Sequence, residues 1–299
     1  MINLRKGIFL TLISMIFLLK AKAQEEDLLK LVEEDKPQKE IVKNAFKATR
    51  IINTQSMEFL APGTMDFTIL HRFGQLDRGV NNLFGLDEAS MRMAFDFGIT
   101  KNLMIGVGRS TYKKELDAFF KYAPVRQSAG SSAFPVTIAL ASGLTLNTLP
   151  WQDPVRQNYF TSRMAFFSQV IIGRKFSEVL SLQLTPTMIH YNLVPTVDTS
   201  NDIYALGIGG RYKLAKRFSF NWDYSYVINS LDKNVYTNPL SVGIDIETGG
   251  HVFQLHFSNS TGMNERAFVT ETSGHWDKTE VRFGFNLSRI FQIKKRKED

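Results

Sequence analysis

Apolar and polar residues alternate along most of the chain, from Met65 to the C-terminal region. Within 218–226 and 281–287, every second residue is aromatic or aliphatic, and the residues between them are polar or small. Successive side chains of a β-strand leave opposite faces, so a period of two predicts strands. The pattern predicts about twelve strands, at 65–73, 90–99, 102–110, 115–124, 135–145, 162–173, 179–192, 203–213, 218–226, 240–247, 253–258 and 280–288.

The lengths of these strands and of their connections favour a barrel that crosses a membrane. The strands average about ten residues, which suits a tilted membrane-spanning strand. Short turns on one side and long loops on the other are typical of outer-membrane barrels. The exceptions are 111–114, which is short where a long loop is expected, and 125–134, which is longer than a tight turn. We therefore predict an all-β fold, a closed antiparallel transmembrane β-barrel of about 12 strands over 63–291.

The two faces of the predicted strands differ in charge. One face is almost free of charge, as lipid contact requires, because Arg or Lys at the bilayer midplane costs about 2–4 kcal/mol. The other face is rich in small polar residues, and we expect it to line the lumen. Its charged members, the lumen-lining candidates, are Asp66, Arg72, Arg92, Asp96, Asp117, Lys121, Arg211, Asp223, Asp245, Glu247, Glu280 and Arg282. Acids and bases are nearly balanced, which predicts Arg–carboxylate pairs that narrow or close the pore.

The first 62 residues differ from the barrel region. Residues 1–23 have the pattern of a cleaved signal peptide: Arg5 and Lys6, an apolar stretch, and an A-x-A site ending at Ala23. This predicts export across the inner membrane and a location in the cell outer membrane. Residues 24–62 form either an N-terminal periplasmic arm or a partial plug. We expect a periplasmic arm, with residues near 44–60 reaching the barrel mouth.

The basic charge of the chain has a simple origin. The formal net charge is +7. Four Lys or Arg residues lie in the predicted signal peptide, and four more lie in the basic C-terminal tail, 292–299. The sequence shows no basic face that could follow a phosphate backbone, so nucleic-acid binding is not predicted. The expected partners are outer-membrane lipid, the barrel assembly machinery and a possible periplasmic protein that binds 24–62.

Four short stretches resemble an uncharacterised family of Bacteroidota outer-membrane β-barrels. They are His71-Arg72-Phe73-Gly74, Asn81-Asn82-Leu83-Phe84-Gly85-Leu86-Asp87, Thr49-Arg50-Ile51-Ile52-Asn53 and Gly249-Gly250-His251-Val252-Phe253-Gln254-Leu255. The resemblance implies an outer-membrane location and supplies no substrate. The last strand ends at Phe291, which is similar to the C-terminal assembly signal of such barrels, although Arg289 interrupts its apolar phase.

Candidate chemistry is limited to one short motif. The chain has no cysteine, and its histidines lack zinc-ligand spacing, so neither a cofactor nor a metal site is predicted. His256-Phe257-Ser258-Asn259 resembles the His-x-Ser-Asn element of outer-membrane phospholipases and lipid A deacylases, with Glu271 or Asn221 as a third member. A base two residues from a serine can activate its hydroxyl. However, the alternation places His256 and Ser258 in the lumen, which favours a polar lining.

Three functional hypotheses follow from the sequence. The first is a structural or passive transport barrel, a small-solute pore without catalysis. The second is an outer-membrane lipid hydrolase that uses His256 and Ser258. The third is a soluble secreted β-sandwich or barrel, which the nearly uncharged apolar face disfavours.

Overall fold

A computed structural model of the chain describes residues 39–151 and 153–294. The predicted signal peptide, residues 24–38 of the predicted arm and residues 295–299 lie outside this part. The larger of two compact units comprises the described residues within 41–127 and 134–294. The two-residue strands Glu40–Ile41 and Ser128–Ala129 form a separate ladder.

Twelve antiparallel strands form a closed barrel, so the predicted fold class is confirmed. Each strand pairs with its neighbours in the chain, and the last strand pairs with the first to close the barrel. The strands are β1 (Thr64–Gln75), β2 (Ala89–Gly98), β3 (Leu103–Ser110), β4 (Glu115–Val125), β5 (Thr137–Asn147), β6 (Met164–Lys175), β7 (Leu180–Tyr191), β8 (Asp202–Lys213), β9 (Phe218–Val227), β10 (Leu240–Thr248), β11 (His251–Ser258) and β12 (Arg282–Gln292).

The connections define two ends of the barrel. At the short-turn end lie the β2–β3, β6–β7, β8–β9 and β10–β11 turns, together with the start of β1 and the end of β12. At the long-loop end lie the connections 76–88, 148–163, 192–201, 228–239 and 259–281. The 111–114 connection at this end is a compact turn, as its length predicted. One α-helix, α1 (Glu265–Thr270), lies within 259–281.

Burial alternates along the strands with a period of two, as the sequence pattern predicts. In β6, for example, Phe166 and Ile172 on the outer face are more than a third exposed, whereas Phe167 and Ile171 on the inner face are buried. Inner-face residues of this kind pack with apolar residues of 45–60 and with Phe268 of α1. The hydrophobic core therefore lies inside the barrel. No helix in the described residues is long and apolar enough to cross a membrane.

Candidate functional site

Residues 44–60 enter the barrel from the short-turn end and fold back on themselves; we call this segment the lumen hairpin. Near its entrance, Arg211 Nη1 donates to the carbonyl oxygens of Asn44 and Ala45. The Ser56 N–H donates to the Thr49 carbonyl, and the Ile51 N–H donates to the Thr54 carbonyl, which closes the apex. The sequence pattern breaks at Ile51-Ile52 because the chain turns there instead of continuing as a strand.

Asp223 on β9 holds the apex of the lumen hairpin. Its Oδ2 accepts hydrogen bonds from three successive backbone N–H groups, those of Ile52, Asn53 and Thr54, at 3.3, 2.7 and 3.0 Å. Three N–H dipoles that converge on one carboxylate oxygen match its negative charge, and hydrogen bonds to a charged group contribute more than neutral ones. The carboxylate therefore fixes the position of the apex.

Six further strands hold the lumen hairpin through polar side chains. Asn53 accepts from Arg72 Nη2 at 2.6 Å and donates to Ser241 Oγ at 2.8 Å. The Lys121 ammonium donates to the Thr49 and Ser56 carbonyls. The remaining donors to hairpin carbonyls are Gln183, Gln254 and Asn286. The hairpin thus satisfies inner-face polar groups that would otherwise require water or partners across the barrel.

Glycines on the inner face make room for the apolar side chains of the lumen hairpin. A Cβ at Gly209 would lie 2.5 Å from Ile51 Cδ1, and one at Gly173 would lie 2.4 Å from Met57 Sδ. A larger residue at either position would force the facing side chain of the hairpin to move. The run Gly207-Ile208-Gly209-Gly210, which resembles a dinucleotide-binding loop in sequence, therefore contributes space inside a strand.

The long connection 259–281 fills the lumen from the opposite end; we call it the inward loop. Asn264 caps α1, since its Oδ1 accepts from the Ala267 N–H, and its Nδ2 donates to Glu115 Oε2 on β4. All six residues of α1 are buried, and Phe268 and Val269 join the core. A helix of this length is not stable alone, so packing inside the barrel maintains it.

Arg266 anchors the inward loop to the barrel wall. Its guanidinium pairs with Glu115 and Glu271, each at 2.5 Å, and donates to the Tyr191 hydroxyl at 3.1 Å. Burial alone raises the pKa of Glu271, but the adjacent Arg266 and Lys113 cations outweigh burial and bring it to about 2. Glu271 is therefore ionised at neutral pH, and its ion pair with Arg266 carries full charge.

A cavity of about 690 Å³ lies at the long-loop end, above this network. Glu115, Arg266 and Glu271 line its floor, and Trp151 and Arg163 belong to its wall. The Arg163 guanidinium stacks on the Trp151 ring at 3.7 Å. The cavity is large enough for a small polar solute.

The lumen hairpin and the inward loop meet in the middle of the barrel. Arg50 Nη1 lies 2.8 Å from Glu265 Oε1, and Gln55 Nε2 donates to the same oxygen at 3.1 Å. Both charged side chains are less than a tenth exposed. A buried ion pair requires good geometry and additional hydrogen bonds to offset its desolvation, and Gln55 supplies one of them. The two segments together occupy the middle of the lumen.

The lumen-lining candidates fall into two groups in the structure. Nine have buried side chains on the inner face: Asp66, Arg72, Arg92, Asp96, Asp117, Lys121, Arg211, Asp223 and Asp245. Arg92 and Asp117 form the expected Arg–carboxylate pair, whereas Arg72, Lys121, Arg211 and Asp223 bind the lumen hairpin instead. The sequence did not predict those contacts, because residues 44–60 were expected at the barrel mouth.

The other three candidates are not buried in the lumen. Glu247 lies near the short-turn end of β10, and its side chain is 41% exposed and pairs with Lys47. Glu280 precedes β12 and accepts a hydrogen bond from the His275 N–H. Arg282 is the first residue of β12 and is half-buried. Glu247 and Arg282 keep the inner-face phase but lie at the ends of their strands, where the wall is more exposed. Glu280 lies outside β12, so the alternating pattern continued past the strand there.

The hydrolase motif gains no support from its geometry. His256 and Ser258 are buried on the inner face beneath the lumen hairpin, away from lipid. Neither ring nitrogen of His256 has a hydrogen-bond partner within the described residues. Ser258 Oγ accepts from Ser241 Oγ at 2.9 Å and is not bonded to His256. Glu271 is engaged by Arg266, and Asn221 makes no hydrogen bond to the imidazole. A nucleophile–base pair requires hydrogen-bond reach, which this site lacks.

The profile of a protein family described as "Membrane bound beta barrel domain (DUF5777)" matches residues 46–291. The chain belongs to this family. The match begins at Phe46, inside the lumen hairpin, so the family's domain includes the hairpin as well as the barrel wall. Membership also establishes that the barrel is membrane-bound, as the uncharged outer face predicts.

Several solved structures are similar to this chain at low identity. The KdgM porin is 9% identical and covers 76% of this chain and 99% of its own, with a TM-score of 0.45. The NanC porin is 9% identical over 76% and 98% of the two chains, with a TM-score of 0.46. The COG4313 outer membrane channel from Pseudomonas putida F1 is 12% identical over 84% and 100%, with a TM-score of 0.45. A search of curated proteins gave no significant match.

Proposed function

We propose that the protein is an outer-membrane barrel for passive passage of small solutes, closed at rest by the lumen hairpin and the inward loop. One observation carries this proposal. The charged groups of the lumen are satisfied largely by two segments that are not strands of the barrel wall. Either segment can therefore move without breaking a strand pair, and its departure would leave a polar path behind.

The outer-membrane location is supported by three features. The predicted signal peptide directs export, the barrel is closed, and the family is membrane-bound. Closed barrels satisfy every backbone group without an exposed edge, which a lipid environment requires. The cavity above the Arg266 network is a suitable entrance for a solute that approaches from the long-loop end.

The proposal is tested by recording current through the full-length protein in planar bilayers. Asp223→Ala removes the acceptor for three N–H groups of the hairpin apex and should increase the frequency of openings by about tenfold or more, since charge-assisted hydrogen bonds contribute about 1.5–3 kcal/mol each. Ser225→Ala, one position along the same buried face of β9, should behave like the native chain, which should be closed most of the time.

Two results would contradict the proposal. If neither the native chain nor Asp223→Ala conducts, the barrel does not transport solutes and its role is structural. If the native chain is continuously open, the two segments do not close the lumen.

A further inference from the structure

The exposed charges of the barrel are separated between its two ends. Because strands alternate in direction, every second connection lies at the same end, and basic residues far apart in the sequence converge there. Seven of them form what we call the basic rim of the short-turn end: Lys101, Arg174, Lys213, Lys216, Arg217, Arg289 and Lys294. The long-loop end instead mixes both signs, with Asp77, Asp87, Glu88, Asp153, Asp198, Asp232 and Asp277 beside Arg78, Lys114, Arg156, Lys233 and Lys278.

The charges of the basic rim are not neutralised within the barrel. Among the described residues, the exposed acids Glu178 and Glu247 lie near it: Glu178 pairs with Lys175, and Glu247 pairs with Lys47, each at 2.6 Å, while Lys213 adds to the positive charge around Glu178. Within the described part of the chain, no side chain of the basic rim forms an ion pair or donates a hydrogen bond to another residue. The rim therefore presents a concentrated positive potential to its surroundings.

Two arginines of the basic rim lie on the lipid-facing surface. Arg174 follows Ile172 on the outer face of β6, and Arg289 follows Leu287 on the outer face of β12. Their guanidinium groups lie over the rings of Phe176 and Phe291, at 5.0 and 4.9 Å. An aromatic ring beside a cation at a strand end marks the boundary between hydrocarbon and headgroups, where long basic side chains extend toward the polar layer.

We propose that the basic rim binds the phosphate groups of anionic phospholipids in the leaflet at the short-turn end. Charge complementarity favours anionic lipids over zwitterionic ones, and the outward position of Arg174 and Arg289 favours headgroups over a soluble acidic partner. Arginine suits this role because its planar donors match phosphate oxygens. Lys213, Lys216 and Arg217 lie together at one turn and form the densest part of the surface. This inference does not depend on whether the lumen conducts.

Native mass spectrometry of the full-length protein in detergent tests the proposal, with phosphatidylglycerol or phosphatidylethanolamine added at low salt. The native chain should retain phosphatidylglycerol preferentially. Each basic residue near an anionic surface contributes roughly fivefold in affinity, so Lys213→Gln/Lys216→Gln/Arg217→Gln should weaken phosphatidylglycerol binding by at least about tenfold and leave phosphatidylethanolamine unchanged. Salt at about 0.5 M should abolish the difference.

The matched control removes three exposed lysines from the long-loop end: Lys114→Gln, Lys233→Gln and Lys278→Gln. It loses the same charge and should bind phosphatidylglycerol like the native chain. Arg174→Gln/Arg289→Gln provides a second test on the outer face and should also weaken binding. Heat-modifiable gel mobility checks that each variant is folded. The proposal fails if the native chain does not distinguish the two lipids, if the control loses as much binding as the rim variant, or if soluble polyglutamate displaces the lipid completely at equal charge.

Discussion

Single residues determine how charge is held inside this barrel, and the crossing of β3 by Arg92 is the clearest case. Arg92 on β2 reaches Asp117 on β4, two strands away, through hydrogen bonds of 2.9 Å from Nε and 2.5 Å from Nη2. It passes over Gly108 of β3, where a Cβ would lie 2.5 Å from Nη2. The glycine is required at this position because any side chain would obstruct the ion pair.

Asp117→Ala should destabilise the barrel by about 3–5 kcal/mol, because it leaves a buried guanidinium without its counter-charge. The free energy of unfolding from urea titration in lipid vesicles measures this loss. Ser110→Ala, an adjacent inner-face substitution whose hydroxyl has no partner in the described residues, should cost less than about 1 kcal/mol. Equal losses in the two variants would show that the ion pair does not stabilise the fold.

Sequence periodicity predicts residues of this kind well and their partners poorly. A charged residue at a polar position of a strand faces the lumen, because the opposite face of the strand contacts lipid. Nine of the twelve lumen-lining candidates could therefore be placed on the inner wall. What each one binds depends on strand register and on segments distant in sequence. Asp223 and Asn53, for example, are 170 residues apart, and no local pattern joins them.

At the scale of whole elements, two segments outside the strand pattern decide the state of the lumen. Residues 44–60 have an irregular pattern because their apolar side chains face the barrel wall around a turn, so neither a helical nor a strand period fits them. The inward loop has a six-residue helix, too short to predict from periodicity. The sequence therefore predicts the strands of the barrel wall. It does not decide whether residues 24–62 form a periplasmic arm or a plug inside the lumen.

The inward loop should remain attached in acid until well below the usual pKa of a carboxyl group. Burial would raise the pKa of Glu271, but the Arg266 and Lys113 cations outweigh burial and lower this pKa from 4.5 to about 2. A lowered folded-state pKa contributes stability above the unfolded value that is lost as pH falls through the folded value. The contribution of Glu271 to loop attachment, about 3 kcal/mol, should thus be constant above pH 5 and decline between about pH 4.5 and pH 2.

Trp276 reports this transition, since its indole N–H donates to the Leu240 carbonyl at 3.1 Å when the loop is in place. Its fluorescence can be followed against pH in a Trp151→Phe/Trp222→Phe background. In Glu271→Gln the signal should lose its dependence on pH in this window, and the loop should be more easily cut by protease at neutral pH. A transition of the Glu271-containing protein centred above pH 4.5 would contradict the ion-pair argument.

At the scale of the whole molecule, the barrel separates charge between its two ends, which no single segment does. The net charge of +7 suggests at first a basic protein, but only a small positive excess remains when the charges of the predicted signal peptide and of the C-terminal tail are left out of the count. The barrel then divides the remaining charges, because alternate turns gather at one end and produce the basic rim. Arg289, which interrupts the apolar phase of the last strand in sequence, lies at this rim over Phe291. Arg289 therefore marks the position at which the outer face of β12 passes from the hydrocarbon layer to the headgroup layer.

A cysteine cross-link between the lumen hairpin and the barrel wall tests whether the hairpin occupies the barrel. The chain has no cysteine of its own. Met57 Cβ lies 3.2 Å from where a Cβ at Gly173 would stand, a few tenths of an ångström below the range of about 3.5–4.5 Å found in disulfides, so a small shift allows the bond. Met57→Cys/Gly173→Cys in the full-length, membrane-inserted protein should therefore oxidise in high yield to an intramolecular disulfide. The control Met57→Cys/Ile172→Cys, with its second cysteine one residue away on the outer face, should keep both thiols free. If the thiols of Met57→Cys/Gly173→Cys stay reduced, or if the control cross-links equally, the lumen hairpin does not occupy the barrel as described.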